Sequence, residues 1–245
     1  MTMNAILEKP LVLSVLQKGE LDLQGQFLSG SNYTFLVKLN YEEISMTTVY
    51  KPVRGEQPLW DFPAGTLGKR EVAAFLVSEL LGWGYVPPTI FRRNAPLGAG
   101  SLQQYIEHDP NDHYFNFTEQ DKQRLRPVVA FDIIINNADR KGSHILRDKD
   151  DHLWLIDHGI CFNTEDKLRT VIWDFCGEPI PESILADLGG MVETFSHPGE
   201  QVKDLSKLLQ AAEIEAMLSR TRGLLKAKVF PYPKRNSRPY PWPPV

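Results

Sequence analysis

The strongest constraint on the fold is a change of hydrophobic period partway along the chain. From Glu20 to Lys51 the apolar residues follow a two-residue rhythm in three runs: Leu21 to Leu28, Tyr33 to Leu39 and Ser45 to Lys51. Alternation of this kind predicts an antiparallel meander, with a turn at Ser29-Gly30-Ser31-Asn32 between the first two runs. A helix precedes it, with Pro10 early and Gly19 just past its end, the usual placement of these two residues. A second helix is expected over Lys69–Leu81, where Val72, Phe75, Leu76 and Leu80 recur at helical spacing before Gly82 and Gly84. Extended pieces follow at Val86–Phe91 and Ser101–Ile106.

Beyond these the period becomes helical. Thr118 opens a helix carrying Leu125, Val129 and Ile133, with Asp121 placed as in a capping box and Pro127 weakening the first turns. Two short strands, His144–Arg147 and Leu153–Ile156, flank the turn Asp148–Asp151, and helices are expected over Glu182–Thr194 and Glu200–Arg222. Strands followed by helices indicate an α+β architecture of two unlike lobes with a cleft between them. The expected organisation is a strand-rich lobe over 1–100, a hinge over 101–105, a helical lobe over 106–227, and a basic, proline-rich tail over 228–245, extended and loosely held. A chain of 245 residues is long enough to bury a real core in this arrangement.

Composition narrows the function. With 27 Lys and Arg against 31 Asp and Glu the net charge is −4, which is not the basic footprint of a nucleic-acid binder. Two cysteines, Cys161 and Cys176, are too few for a disulfide framework and are expected as reduced thiols. No signal peptide or membrane span is visible, so the expectation is a cytoplasmic monomer.

The segment richest in chemistry is Asn136-Asn137-Ala138-Asp139-Arg140-Lys141-Gly142-Ser143-His144, followed thirteen residues after His144 by Asp157-His158-Gly159. The first part places a carboxylate and an imidazole five residues apart on a polar loop, and the second puts a carboxylate at the end of an apolar strand. Brought together by the hairpin between them, these groups could hold a divalent ion that prefers oxygen donors and phosphates. The plainer alternative has Asp139 capping a turn and Asp157 paired with Arg140.

These motifs resemble the catalytic and metal-binding loops of phosphatidylinositol 3-/4-kinases, which read D-R-x-x-x-N and then D-F-G or D-N-G. The resemblance extends upstream. Tyr50-Lys51-Pro52 is similar to the strand lysine of type II phosphatidylinositol 4-kinases, and Arg70-Glu71-Val72-Ala73-Ala74-Phe75 to their helix glutamate segment. Val86-Pro87-Pro88-Thr89 and Gly100-Ser101-Leu102-Gln103 resemble the next strand and the interlobe hinge. The whole chain resembles a bacterial family related to these kinases. The resemblance implies a two-lobed, protein-kinase-like fold of the phosphatidylinositol 3-/4-kinase type.

It also implies roles. Lys51 would hold the α- and β-phosphates of ATP and be oriented by Glu71, with Glu79 as the alternative partner. Ser29, Gly30, Ser31 and Asn32 would cover the phosphates, and Leu102, Gln103, Gln104 and Tyr105 would meet the adenine. Asp139 would orient or deprotonate the acceptor hydroxyl, Arg140 would stabilise the loop or a phosphate, and Asp157 and His144 would bind Mg²⁺. His144 stands where the family has Asn, and imidazole favours Mn²⁺ over Mg²⁺. The expected activity is transfer of the γ-phosphate to a hydroxyl of a lipid, protein or small molecule; the alternative is a nucleotide-binding pseudokinase acting as a scaffold. Trp60, Trp83 and Trp154 are expected in packing, and Trp173-Asp174 either in packing or as an acceptor platform.

Overall fold

The computed structural model describes residues 7–27, 32–234 and 238–245. Helix α1 (Lys9–Lys18) starts with Pro10 in its first turn and stops at Gly19, whose N–H bonds the Val15 carbonyl at 2.8 Å. Strands β1 (Glu20–Phe27), β2 (Thr34–Tyr41) and β3 (Ile44–Pro52) form the expected meander. With β4 (Thr89–Arg92) and β5 (Gly100–Gln104) they make one antiparallel sheet of order β1-β2-β3-β5-β4. One face of this sheet presents Val37, Leu39, Met46, Tyr50 and Leu102 to Val12, Val15 and Leu16 of α1, forming the smaller of two apolar cores.

Gly100 is required where β5 passes β3, because a Cβ there would lie 2.3 Å from the Lys51 carbonyl oxygen. That close approach sets the strand carrying Lys51 directly beside the strand leading out of the sheet.

Helix α2 (Leu67–Leu80) follows β3 in sequence but packs its Ala73, Ala74, Phe75 and Val77 into the larger core, together with the helices of the second half. Its buried Arg70 donates to the Cys161 carbonyl at 2.7 Å and pairs with Glu213, so α2 is tied to the second half of the chain by a paired buried charge.

Three expectations are corrected here. The single helix expected after Thr118 is two, α3 (Glu119–Gln123) and α4 (Arg126–Ile135). Thr118 and Asp121 form a full capping box on α3, but Pro127 cannot continue a helix begun upstream and instead sits in the first turn of a new one. A small hairpin, β6 (Ile145–Arg147) and β7 (Leu153–Leu155), comes next, then α5 (Glu182–Ser196). The expected helix over Glu200–Arg222 is likewise split, into α6 (Glu200–Leu208) and α7 (Ala211–Ala227). Glu213 forces that break: one of its oxygens accepts the Gln210 N–H at 2.8 Å while the other meets Arg70.

The third correction concerns the end of the chain, which is extended but not loose. Phe230 is buried and exchanges backbone hydrogen bonds with Gly177 (2.9 Å) and Glu178 (3.0 Å). Farther on, the carbonyls of Pro239 and Pro244 accept hydrogen bonds from Thr170 and Gly142. No described helix is long and apolar enough to cross a membrane.

Candidate active site

The sheet and the helical half meet around a cavity of about 370 Å³, a size suited to a small ligand. Its apolar part is lined by Val49, Leu146, Ile156 and Ile106, and its polar end by Lys51, Glu71, Asp139, His144 and Asp157. Residues from β3, α2 and the loops on both sides of the β6–β7 hairpin therefore converge on one place.

Lys51 is fixed by two carboxylates. Its Nζ lies 2.5 Å from Glu71 Oε1 and 2.8 Å from Asp157 Oδ1. Burial opposes the ammonium charge, but Asp157 and Glu71 outweigh it and hold the group above the ordinary lysine value. The other Glu71 oxygen accepts the His158 backbone N–H at 2.8 Å, so helix α2 holds the loop after β7 as well as the lysine. Glu79, the alternative partner, instead pairs with Lys9 on α1 at 2.7 Å.

Asp157 is held well below the usual carboxylate range, chiefly by Lys51 and against the effect of burial. Its backbone is left-handed (φ 63°), an uncommon state for a residue with a side chain, and Gly159 follows. Its second oxygen, Oδ2, lies 3.3 Å from His144 Nε2. The opposite nitrogen of that ring, Nδ1, is 3.0 Å from the Asp139 carbonyl, which can only accept, so Nδ1 carries the ring proton. Burial pushes His144 down to about 4, so the ring is neutral near pH 7. Nε2 and Asp157 Oδ2 are thus two acceptors facing each other with no proton between them, an arrangement that fits a cation. Among the described residues no set of three or more His, Cys, Asp or Glu side chains forms a metal cage, so these two groups could hold an ion only with further oxygens from a ligand or water.

Asp139 lines the cavity on a turn stiffened by the Asn137 side chain, whose Oδ1 accepts the Asp139 N–H at 3.0 Å. Burial raises its carboxyl to about 6, opposed by Lys141, whose Nζ is 3.6 Å away, and reinforced by Asp157.

Arg140 does not reach the cavity. Its guanidinium is fully buried and paired with Asp132 of α4, not with Asp157. Its remaining N–H groups go to the carbonyls of His144 (3.2 Å) and Ile156 (3.1 Å) and to His158 Nε2 (2.8 Å). A guanidinium can only donate, so His158 accepts through Nε2. One buried cation thereby binds the loop carrying Asp139 to the loop carrying Asp157. Asp132 and Asn137, which complete this network, were not expected from the sequence. The available signal was a lone carboxylate between Phe131 and Ile133 in an apolar helix, since a buried charge requires a partner.

Gln103, Gln104 and Tyr105 also line the cavity. Leu102 does not: it is fully buried among β3, β4 and α1, and its backbone belongs to β5, between β3 and β4 in the sheet. The Tyr105 N–H is already bonded to the Thr47 carbonyl at 3.2 Å. Asn32 lines the cavity and accepts the Gln57 N–H at 2.6 Å through its side chain, whereas Ser29, Gly30 and Ser31 lie outside the described residues.

Trp83 and Trp154 pack as expected, each with its indole N–H on a carboxylate, but Trp60 is 89% exposed on the loop between β3 and α2. Trp173 and Asp174 are engaged in packing, through Pro239 and Tyr114.

No protein-family model matches the chain. Among solved structures, it resembles hydra Fam20, determined with sugar, at a TM-score of 0.54 and 15% identity, covering 92% of this chain and 89% of that one. It also resembles the Helicobacter pylori proinflammatory kinase CtkA at a TM-score of 0.51 and 11% identity, covering 88% and 94%. The fold is therefore mixed α+β and kinase-like. The phosphatidylinositol 4-kinases gamma 4 of rice and Arabidopsis thaliana share 29% and 30% identity with 50% and 42% of the chain, which spans about a quarter of their own length (25% and 23%). Protein Rv2133c of Mycobacterium tuberculosis is 39% identical over 94% of both chains, and this chain belongs to the same family.

Proposed function

We propose that the protein is an ATP-dependent phosphotransferase that moves the γ-phosphate to a hydroxyl acceptor, and that it is related to the phosphatidylinositol 3-/4-kinases. The observation that carries this reading is the pair of facing acceptors, Asp157 Oδ2 and His144 Nε2, beside an ion-paired lysine in a cavity that also has apolar lining from Val49, Leu146, Ile156 and Ile106. The apolar lining suits a base and the charged group suits phosphates. The partial similarity to the plant kinases and the kinase-like fold support the same reading.

In this scheme Lys51 leaves Asp157 for the α- and β-phosphates and stays oriented by Glu71. Asp157 and His144 would hold a divalent ion, for which a mixed oxygen and nitrogen donor pair favours Mn²⁺ over Mg²⁺. Bound there, it would supply charge neutralisation for the phosphates. Asp139 receives the proton of the acceptor hydroxyl as the acceptor oxygen bonds to the γ-phosphorus and the bond from that phosphorus to the β-phosphate oxygen breaks, releasing ADP. A carboxyl raised by burial is a better proton acceptor than an ordinary aspartate. Arg140 positions both loops and touches neither substrate.

The test is ADP formation from ATP with Mn²⁺, with Mg²⁺ and with EDTA. Metal-dependent turnover that falls about 10²-fold in Asp139→Asn supports the reading. Nucleotide binding without turnover under any of these conditions leaves a scaffold and overturns it.

A further inference from the structure

The stretch between the Asp157 loop and α5 returns to run beside the catalytic loop. Arg169 donates its backbone N–H to the Asn137 carbonyl and accepts from the Arg140 N–H, both at 2.9 Å, so it flanks the turn that carries Asp139. Arg169 is half-buried, and among the described residues its side chain has neither a hydrogen-bond partner nor an ion-pair partner. The planar fork of a guanidinium matches phosphate oxygens.

The end of the chain is built onto the same place. The Pro239 carbonyl accepts from the Thr170 N–H at 3.0 Å and from the Trp173 indole N–H at 3.3 Å. The Pro244 carbonyl accepts the Gly142 N–H at 2.8 Å, and Pro241 between them is buried. This strap sets the exposed Arg238, also without a side-chain partner, beside Thr170 and hence near Arg169. Lys141, 3.6 Å from Asp139, adds another cation. Lys141 and Arg169 both act on the Asp139 carboxylate, and the backbone of the strap brings Arg238 to the neighbouring Thr170, in a chain whose net charge is −4.

We propose that Arg169, Arg238 and Lys141, organised by the strap over 238–245, form an acceptor subsite for an alcohol that already carries a phosphomonoester. This rests on the phosphotransferase reading. Lys141 contacts Asp139, so the bound anion lies close to the reacting hydroxyl, and both belong to one small molecule or one headgroup rather than to separate residues of a peptide. Three cations match the dianionic monoester better than a singly charged diester.

The test uses the full chain saturated with Mn²⁺ and a non-hydrolysable ATP analogue, whose own affinity is measured first. If the analogue does not bind, the phosphotransferase reading fails independently of this one. Once it binds, glycerol 3-phosphate, glycerol, and phosphatidylcholine vesicles carrying either phosphatidylinositol or phosphatidylinositol 4-phosphate are titrated by calorimetry. Glycerol 3-phosphate is expected to bind and glycerol not, and tighter binding of the phosphatidylinositol 4-phosphate vesicles would mark the monoester as lipid-borne. Arg169→Gln should weaken monoester binding about tenfold while the nucleotide affinity stays within about twofold, with Arg169→Lys in between because it keeps the charge but loses the fork. Equal binding of glycerol, a preference for phosphatidylinositol over phosphatidylinositol 4-phosphate vesicles, or an unchanged affinity in Arg169→Gln would overturn the proposal.

Discussion

The two sides of Asp139 are built differently. On the Lys51 side the cation is fully paired: Lys51 lies between Glu71 and Asp157, and Glu71 also holds the His158 backbone. On the other side, among the described residues, the side chains of Arg169 and Arg238 have no hydrogen-bond or ion-pair partner and Lys141 reaches only Asp139. The contrast teaches that one side is organised around a paired lysine, whereas the other offers cations without a counter-charge. Under the proposed function the Lys51–Asp157 pair would be exchanged for phosphate and the facing acceptors would take a cation, so that nucleotide and metal would bind together.

The largest effect is expected from the preorganised side. Asp157→Ala removes half of the facing acceptor pair and one partner of Lys51, and should lower turnover by about 10³-fold, measured as ADP release at saturating metal. Beneath both sides lies the Arg140 network. Asp132→Ala leaves a fully buried guanidinium without its carboxylate and should cost about 3–5 kcal/mol in denaturant unfolding, whichever side is liganded. Asp139→Asn stands at the boundary. It should slow transfer by about 10²-fold while ATP affinity in single-turnover experiments stays within about twofold. If ATP affinity falls as far as turnover, the division into two sides is wrong. The smallest effect is a change of preference: His144→Asn exchanges an imidazole for an amide oxygen and should shift the ratio of Mn²⁺- to Mg²⁺-supported turnover a few-fold toward Mg²⁺. An identical metal profile would remove His144 from the metal site.

Local pattern made the strand half legible. The alternation in β2 and β3 is legible because one face of each is buried against α1, and period-two burial is what such a pattern encodes, whereas β1 pairs with β2 but stays exposed along most of its length. The convergence of Lys51, Glu71, Asp139, His144 and Asp157 was legible through motif order alone, since residues more than a hundred positions apart carry no local signal of contact. What stayed hidden depends on distant partners. The break between α6 and α7 has one local sign, the Gln210–Glu213 capping box, and the Glu213 contact with Arg70 on α2 that accompanies it carries no signal in the nearby sequence. Arg140 read as stabilising either the loop or a phosphate, and the choice between them was hidden because the carboxylate that pairs it in the interior, Asp132, lies eight positions earlier on a helix. The proline-rich end read as a loose tail on composition, but its carbonyls are acceptors that Gly142, Thr170 and Trp173 use.

The central claim is that Asp157 and His144 await a metal together with nucleotide. Calorimetric titration of ATP into the wild-type chain and into Asp157→Ala, each with Mn²⁺, with Mg²⁺ and with EDTA, tests it most directly. The account predicts metal-dependent binding to the wild type, tighter with Mn²⁺, and loss of the metal dependence in Asp157→Ala. Binding that is equal with and without metal, or unchanged by Asp157→Ala, would contradict it.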